Sequence, residues 1–329
     1  MKTLIAKLPI QGSDGTLTMI VCVGFIVLGI ASGGSLFSQQ GLLSFLAYLS
    51  VPILIGLSQM TVLAVGQLNL AIGAMGGALC GLMAVMMANG AVPVWAALLI
   101  GLVAATVIGA VNGLLVVITG LHGFIVTLGT MTILLGVQFS LVRSFTIDAY
   151  SDALKSFGRE NVAGIPWLFV ATICVSILVF VFFSRSVPGR RLLATGGSEV
   201  AARLSGISNA RSMILAYTVS GFLTGLAALA TMASLTGINR SIGVDWLLPS
   251  FAAPIIGGVL LTGGSVAVYG TIIAACLLRI VDVARAQFLL DPSWTSFVIG
   301  AVVLSTVAIS EYRKRRTASV MQKREELAV

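Results

Sequence analysis

Long apolar runs separated by short polar loops cover almost the whole chain. A helix of about 20 apolar residues crosses the hydrocarbon core of a bilayer, so each run predicts a membrane-spanning helix. The pattern therefore predicts an all-α fold, a polytopic transmembrane helix bundle of about ten membrane-spanning helices, some of them broken. Because the third run is long and rich in glycine, nine or eleven crossings are the alternatives. The runs lie at about 17–35, 41–58, 60–88, 94–118, 124–142, 166–183, 213–235, 246–262, 267–288 and 294–310.

Composition agrees with this pattern. Hydrophobic residues make up 58% of the chain and charged residues 9%, and the mean hydropathy is +1.08, whereas soluble domains carry about 25% charged residues. We therefore expect a single transmembrane domain over residues 1–329. The four cysteines and the one histidine, His122, stand at unrelated spacings, so neither a metal site nor a membrane-embedded enzyme is predicted.

The distribution of Lys and Arg predicts the orientation. These residues concentrate at the start of the chain, in the polar stretch 184–212 and in the basic tail 311–329. Short segments rich in Lys and Arg stay in the cytoplasm, so both termini and this stretch are predicted to be cytoplasmic, which requires an even number of crossings. The net charge of +8 is then a topology signal. A nucleic-acid partner is not predicted, since that would need one basic face on a soluble fold.

Small residues and prolines predict how the helices pack. Glycines four residues apart lie near one helix face and let two backbones approach closely. Pro52 removes a backbone donor inside the second run, so we expect a kink or a break there. The small-residue ridges are Gly73, Gly77 and Gly81; Gly101, Ala105, Gly109 and Gly113; and Gly221 and Gly225.

Polar residues inside the apolar runs are the candidates for a substrate pathway. These residues are Gln67, Asn69, Asn112 and Thr127. Amides both donate and accept hydrogen bonds, which suits neutral ligands rich in hydroxyl groups. The alternative interpretation is structural: the same side chains could hydrogen-bond between helices or to a broken backbone.

Three charged residues stand three apart on the ninth run, namely Arg279, Asp282 and Arg285. This spacing places opposite charges on neighbouring positions of one helix face. A structural series of ion pairs is the preferred interpretation, and a substrate site is the alternative.

The polar stretch 184–212 predicts a short amphipathic helix. Ser198 can cap its N-terminus, Glu199 suits its first turn, and Gly206 is a stop signal. Val200 and Leu204 recur at helical spacing and begin an apolar stripe. A helix this short is marginal alone, so we expect it to contact either the lipid interface or another protein.

Three blocks of sequence resemble the membrane permeases of bacterial ABC importers for monosaccharides, of the ribose, xylose and autoinducer-2 type. They read, in order, NGLLVVITGLHGFIVTLGTMTILLGV, GRRLLATGGSEVAARLSGI and PIIGGVLLTGGSVAVYGT. The resemblance covers nearly the whole chain from about residue 40 onward. It implies a multi-pass protein of the bacterial inner (plasma) membrane that takes part in carbohydrate import.

The resemblance also implies partners. These are a cytoplasmic ABC ATPase subunit, a periplasmic sugar-binding protein and a second permease subunit, in a homodimer or a heterodimer within membrane lipid. The chain has no GxxxxGK[ST] stretch, so we expect no cofactor on it and expect ATP to be hydrolysed by the partner subunit. By resemblance, residues 196–206 form the coupling helix, with Gly196, Gly197, Ser198, Glu199, Ala202, Arg203, Leu204 and Gly206 as its ATPase-coupling residues.

One departure from the family pattern concerns the substrate. The family commonly reads GGIDLSVG where this chain has GQLNLAIG. A neutral amide, Asn69, therefore replaces an acid close to the expected pathway, so either the solute differs or the partner permease subunit is a more typical one. An ion-coupled secondary transporter of small polar solutes is the second function considered. It would need ionisable residues at mid-depth, and the runs before residue 279 hold essentially none.

Overall fold

The computed structural model describes residues 12–88, 90, 92–143, 146–148, 150–162, 164–291, 293–294, 296–301 and 304–305. The N-terminal lysines and the basic tail 311–329 lie outside these residues. Two 3-10 turns, Ser35–Phe37 and Val244–Trp246, and one short hairpin of β1 (Asn161–Val162) and β2 (Ile165–Pro166) accompany the helices. The helices are α1 (Gly12–Ala31), α2 (Gln39–Leu63), α3 (Ile72–Ala88), α4 (Val94–Thr119), α5 (Gly123–Val142), α6 (Asp152–Arg159), α7 (Trp167–Arg185), α8 (Val187–Gly197), α9 (Glu199–Leu204), α10 (Asn209–Ser234), α11 (Leu247–Ile256) and α12 (Val268–Gln287).

The described helices have the length and apolar character of membrane spans. Helices α2, α4, α5, α7 and α10 are each long and apolar enough to cross a membrane, and shorter apolar helices cover 15–31, 72–88 and 244–256. Large apolar side chains such as Trp95, Ile118 and Leu178 face outward, as expected where lipid rather than water surrounds the protein. The predicted all-α membrane bundle is therefore confirmed.

Helix α2 lies in the middle of the bundle. It packs against α10, α12, α11 and α7. Its side chains Ile53, Leu57 and Met60 are fully buried. A helix that is apolar on every side is expected in such a central position.

The predicted small-residue ridges are confirmed as helix contacts. A Cβ atom on Gly109 of α4 would lie 2.9 Å from the Cα of Gly221 on α10, and one on Gly225 would lie 2.8 Å from the Cβ of Ala105. Only backbones without side chains can approach this closely, so α4 and α10 meet along their glycines. The ridge on α3 meets a different surface, because a Cβ on Gly81 would lie 2.7 Å from Val142 of α5.

Helical structure in the second and third apolar runs is interrupted mainly at residues 64–71, between α2 and α3. Helix α2 continues through Pro52 to Leu63, so of the predicted kink or break at Pro52 the break was wrong, and the kink stays a prediction. A proline removes one backbone hydrogen bond, and the surrounding helices hold the rest of α2. Gly66 has a φ of +71°, a left-handed conformation that glycine adopts without steric cost and that ends helices.

The segment between the fifth and sixth apolar runs, at about 143–165, contains regular structure. It holds α6 and the β1–β2 hairpin, and Ile147 forms an antiparallel bridge with Ile238. The hydroxyl of Tyr150 donates to the carbonyl of Met232 at 2.8 Å. These contacts tie the loop to the end of α10.

The contacts define two ends of the bundle. At one end, the amide of Gly264 donates to the carbonyl of Ala64, and a Cβ on Gly196 would meet both residues. The hydroxyls of Thr18 and Tyr269 are 3.1 Å apart, so the beginnings of α1 and α12 lie toward this end. We call it the α8–α9 end, and the other, which holds the α1–α2 turn and the β1–β2 hairpin, the opposite end.

Candidate functional site

The break between α2 and α3 is a defined structure. The amides of Gly66 and Gln67 donate to the carbonyls of Leu63 and Val62 at 2.9 and 3.2 Å. This pair of bonds around a left-handed glycine is the Schellman pattern of helix termination. The chain then runs through residues 67–69 without helical structure before α3 begins.

Predicted pathway residues satisfy the backbone of this break. The Oε1 atom of Gln67 accepts from the amide of Gly123, the first residue of α5, at 2.7 Å. The hydroxyl of Thr127 accepts from the amide of Leu70 at 3.0 Å and donates to the carbonyl of Gly123 at 2.7 Å. Buried backbone groups need such partners, so these side chains fix the break against the start of α5.

Asn69 joins the break to α10. Its Oδ1 atom accepts from the amide of Ala71 at 3.0 Å and so closes an Asx turn immediately before α3. Its Nδ2 group donates to the hydroxyl of Ser220 at 3.1 Å. Asn69 is fully buried, and an amide with both groups paired avoids the cost of burial without partners.

Sequence reasoning missed the partners on α2 and α10. The hydroxyl oxygens of Ser58 and Ser220 are 2.8 Å apart, and that of Ser58 lies 2.9 Å from the hydroxyl of Thr224. The hydroxyl of Tyr217 donates to the carbonyl of Leu68 at 2.8 Å. The available signal was the presence of hydroxyl residues inside two strongly apolar runs.

Asn112 stands apart from this group. It lies on α4, where its Oδ1 atom accepts from the hydroxyl of Thr130 on α5 at 2.6 Å. Its Nδ2 group is buried and has no hydrogen-bond partner among the described residues. The structure thus brings three of the four predicted pathway residues together at the break, and the assignment of all four to a pathway stays a prediction.

The polar stretch 184–212 contains two helices where one was predicted. Ser186 caps α8 by accepting from the amide of Gly189 at 3.0 Å. Ser198 accepts from the amide of Ala201 at 3.3 Å and caps α9, as predicted. Gly196 and Gly197 are the last residues of α8 and not part of the shorter helix.

Helix α9 ends as predicted. Gly206 has a φ of +76°, and the amides of Gly206 and Ile207 donate to the carbonyls of Arg203 and Ala202 at 3.0 and 2.9 Å. These bonds form a second Schellman pattern, so α9 ends at a defined residue even though it is short.

The surface of α9 presents apolar side chains to the outside. Leu204 is 84% exposed and Val200 is 59% exposed, whereas Ala202 is buried against the bundle. Glu199 and Arg203 are exposed on the same short helix. An exposed apolar pair beside two charges is consistent with both contacts predicted from the sequence, the lipid interface and another protein.

The end of α8 contacts the break between α2 and α3 through glycine residues. A Cβ atom on Gly196 would lie 2.6 Å from the amide nitrogen of Gly264 and would also meet the carbonyl oxygen of Ala64. A Cβ on Gly263 would lie 2.6 Å from the amide nitrogen of Gly66. Gly264 donates to the carbonyl of Ala64 at 3.0 Å. Because no side chain separates these three backbones, we call this contact the glycine junction.

The glycine junction connects elements that are far apart in sequence. It joins the end of α8, the end of α2 and the loop between α11 and α12, whose residues Gly263 and Gly264 both have left-handed φ angles. The end of α8 is therefore in direct backbone contact with the end of α2, next to the break at residues 64–71.

The described residues form a multi-pass α-helical membrane protein. In it, the capped helices α8 and α9 contact the break between α2 and α3 through the glycine junction. The family described as "Branched-chain amino acid transport system / permease component" matches residues 41–307. The chain belongs to this family.

Curated relatives cover most of the chain. It is 30% identical over 280 residues to the ribose import permease protein of Haemophilus influenzae, covering 83% of this chain and 85% of the relative. It is 27% identical over 328 residues to the fructose import permease protein of Rhizobium meliloti, covering 96% and 91%. An autoinducer 2 import system permease protein of Photorhabdus luminescens is 26% identical over 303 residues, covering 90% of each. These names agree with the family that the three sequence blocks resemble.

Proposed function

We propose that this chain is the permease subunit of an ATP-driven ABC importer for a sugar or a sugar-like small molecule. The family assignment and the names of the relatives support this function. The single observation that carries the mechanism is the glycine junction between α8 and the break that separates α2 from α3. A partner that binds α9 would act on the interior of the bundle through this contact.

The proposed contact with the cytoplasmic ATPase subunit is the surface of α9. Leu204 and Val200 supply apolar contact area, and Glu199 and Arg203 supply charge complementarity at its edge. Ser198 and Gly206 keep the helix short and rigid through their caps. The backbones of Gly196 and Gly197 then connect this surface to the junction, where Gly196 has no room for a side chain and Gly197 has room for one, while buried Ala202 holds the surface on the bundle.

The proposed passage borders the break at residues 64–71. Irregular backbone within a membrane is tolerated where it is buried in protein or lines a cavity. Gln67, Asn69 and Thr127 would set the position of the break, and Asn112 keeps a buried donor that has no partner in the described part of the chain. Alternating access would follow when ATP-driven closure of the partner subunits displaces α9 and the junction moves the break.

The proposed topology has about ten crossings in one domain over residues 1–329. They are α1, α2, α3, α4, α5, α7, α10, α11, α12 and the final apolar run at 294–310. With the α8–α9 end in the cytoplasm of a bacterial inner membrane, the beginning of α1 and the basic tail 311–329 face the same side, in agreement with the distribution of Lys and Arg.

The opposite end would then face the periplasm. A periplasmic sugar-binding protein would deliver the solute there, and a second permease subunit, identical or related, would complete the passage. The chain itself would carry no cofactor and perform no covalent chemistry, and ATP would be hydrolysed by the partner subunit.

The test is ATP-dependent uptake by the reconstituted complex in proteoliposomes. Leu204→Asp should abolish uptake because it places a charge at the centre of the proposed ATPase contact, while membrane insertion stays normal. The matched control is Leu289→Asp, since Leu289 is 91% exposed at the opposite end, and it should retain uptake. Normal uptake by Leu204→Asp would overturn the coupling role of α9. Uptake that stops with a protonophore and continues without ATP would instead favour the ion-coupled transporter.

A further inference from the structure

A small polar cavity lies at the opposite end of the bundle, away from the proposed coupling surface. It has a volume of about 160 Å³ and lies between the α1–α2 turn, the beginning of α2 and the last part of α12. A water molecule occupies about 30 Å³ in the liquid, so the cavity has room for a larger group. Its polar lining residues are Ser32, Ser35, Ser44, Arg279 and Gln287.

Arg279 is a cation without a direct ion pair in the described part of the chain, and Asp282 acts on it only through space. Its Nε group is buried and has no hydrogen-bond partner among the described residues. No ion pair within 4.0 Å joins it to Asp282 in this part of the chain, so the ion-pair series interpreted from the sequence does not form as direct pairs. The guanidinium carbon instead lies 5.1 Å from the ring centre of Tyr48 and 6.0 Å from that of Phe45.

This arrangement leaves one side of the guanidinium for a ligand. Aromatic rings attract a cation and cover it without supplying hydrogen-bond acceptors in its plane. The N–H groups of arginine lie in that plane and match the geometry of a carboxylate or a phosphate. Among the described residues, the cavity lining supplies hydroxyl and amide groups but no carboxylate.

The charges on α12 also favour an anion. Arg279 and Arg285 stand on either side of a single acid, Asp282, and the Nε group of Arg285 is likewise buried without a partner in the described structure. The exposed Ser35, Ser44 and Gln287 form the rim of the cavity, with the less exposed Arg279 at its base. A buried positive charge at a membrane boundary is stabilised by a negative group that reaches it from the interface.

We propose that this cavity binds a phosphate-type oxyanion, held by Arg279 at the base and by Ser35 and Ser44 at the rim. The headgroup of an anionic phospholipid and free inorganic phosphate present the same chemistry. The position beside the α1–α2 turn brings the cavity to the level where lipid headgroups lie, and a bound headgroup would hold α1, α2 and α12 together. This site does not depend on the proposed transport function.

The test uses the full chain purified in a phosphate-free maltoside detergent. Dioleoyl-phosphatidylglycerol and sodium phosphate are titrated separately, and the thermal unfolding midpoint is measured at each concentration. We expect a saturable rise in the midpoint with at least one probe. Arg279→Gln should raise the half-saturating concentration about tenfold or more, because it removes the charge-assisted hydrogen bonds.

Two further variants keep the proposal falsifiable. Arg285→Gln makes the same charge change on the same helix without altering the cavity lining, and it should raise the half-saturating concentration far less than Arg279→Gln does. Ser44→Ala changes an exposed rim residue, should fold normally, and should weaken binding about threefold through the loss of one hydrogen bond. A response to the lipid alone identifies the headgroup as the source, and a response to both probes shows that free phosphate also enters. The absence of any response in the wild type, or equal half-saturation in the wild type, Arg279→Gln and Ser44→Ala, would overturn the proposal.

Discussion

Substitution of Gly196 tests the glycine junction at the point where α8 touches the broken helix. In Gly196→Ala the new Cβ would lie 2.6 Å from the amide nitrogen of Gly264, whereas ordinary contact begins near 3.4 Å. The gap must therefore widen by at least about 0.8 Å, since the carbonyl oxygen of Ala64 would lie closer still, and this strains the hydrogen bond from Gly264 to Ala64. Overpacking costs about 1–3 kcal/mol and loss of one hydrogen bond about 1 kcal/mol, so we expect unfolding to become easier by about 2–4 kcal/mol.

The neighbouring glycine supplies a matched control. A Cβ on Gly197 has nothing within 4 Å, and alanine is a better helix former than glycine. Gly197→Ala should therefore keep stability within about 1 kcal/mol of the wild type and keep full transport. Both variants are reconstituted with the ATPase subunit, and thermal stability, ATP hydrolysis and solute uptake are measured on the same preparations.

The expected result separates binding of the partner from transmission of its movement. Gly196→Ala should still bind the ATPase, because α9 is unchanged, but should lose most of the uptake per ATP hydrolysed. Wild-type stability together with wild-type uptake in Gly196→Ala would refute the close contact. Equal losses in Gly196→Ala and Gly197→Ala would show that α8 is sensitive in general and that the junction has no special role.

Two further substitutions test the break and the helix packing. Asn69→Ala removes the side chain that caps the amide of Ala71, and we expect a loss of about 1–3 kcal/mol in unfolding free energy. Denaturant titration measures it, and an unchanged midpoint would contradict the capping role. Gly109→Ala brings a Cβ against the backbone of Tyr217 on α10 and should cost about 1–3 kcal/mol. Gly129→Ala, with nothing within 4 Å, should not destabilise the protein, and equal thermal midpoints of the two variants would disprove the contact.

Local signals in the sequence predicted much of the fold. The order of the helices followed from the apolar runs, and both caps of α9 followed from Ser198 and Gly206, whose effects act within one turn of the helix. The small-residue faces of α4 and α10 followed from glycines at a spacing of four, since this spacing repeats on one helix face, whereas only the structure shows that these two faces meet.

Features that depend on distant parts of the chain were not predicted. The glycine junction joins Gly66, Gly196 and Gly264, and no spacing within a single run shows that these positions meet. A kink or a break was expected at Pro52, but α2 continues through this residue because its central packing maintains the helix. Gln67 and Thr127 were identified from their polarity, but their partners became visible only in three dimensions.

The central claim is that a separate nucleotide hydrolase drives this membrane bundle by holding α9. The most direct measurement is co-purification of the detergent-solubilised chain from its native membrane, followed by assay of ATP hydrolysis in the eluate, for the wild type and for Leu204→Asp. We predict ATPase activity that elutes with the wild-type chain and is lost with Leu204→Asp. Absence of a hydrolase from the wild-type complex, or its full retention by Leu204→Asp, would contradict the account.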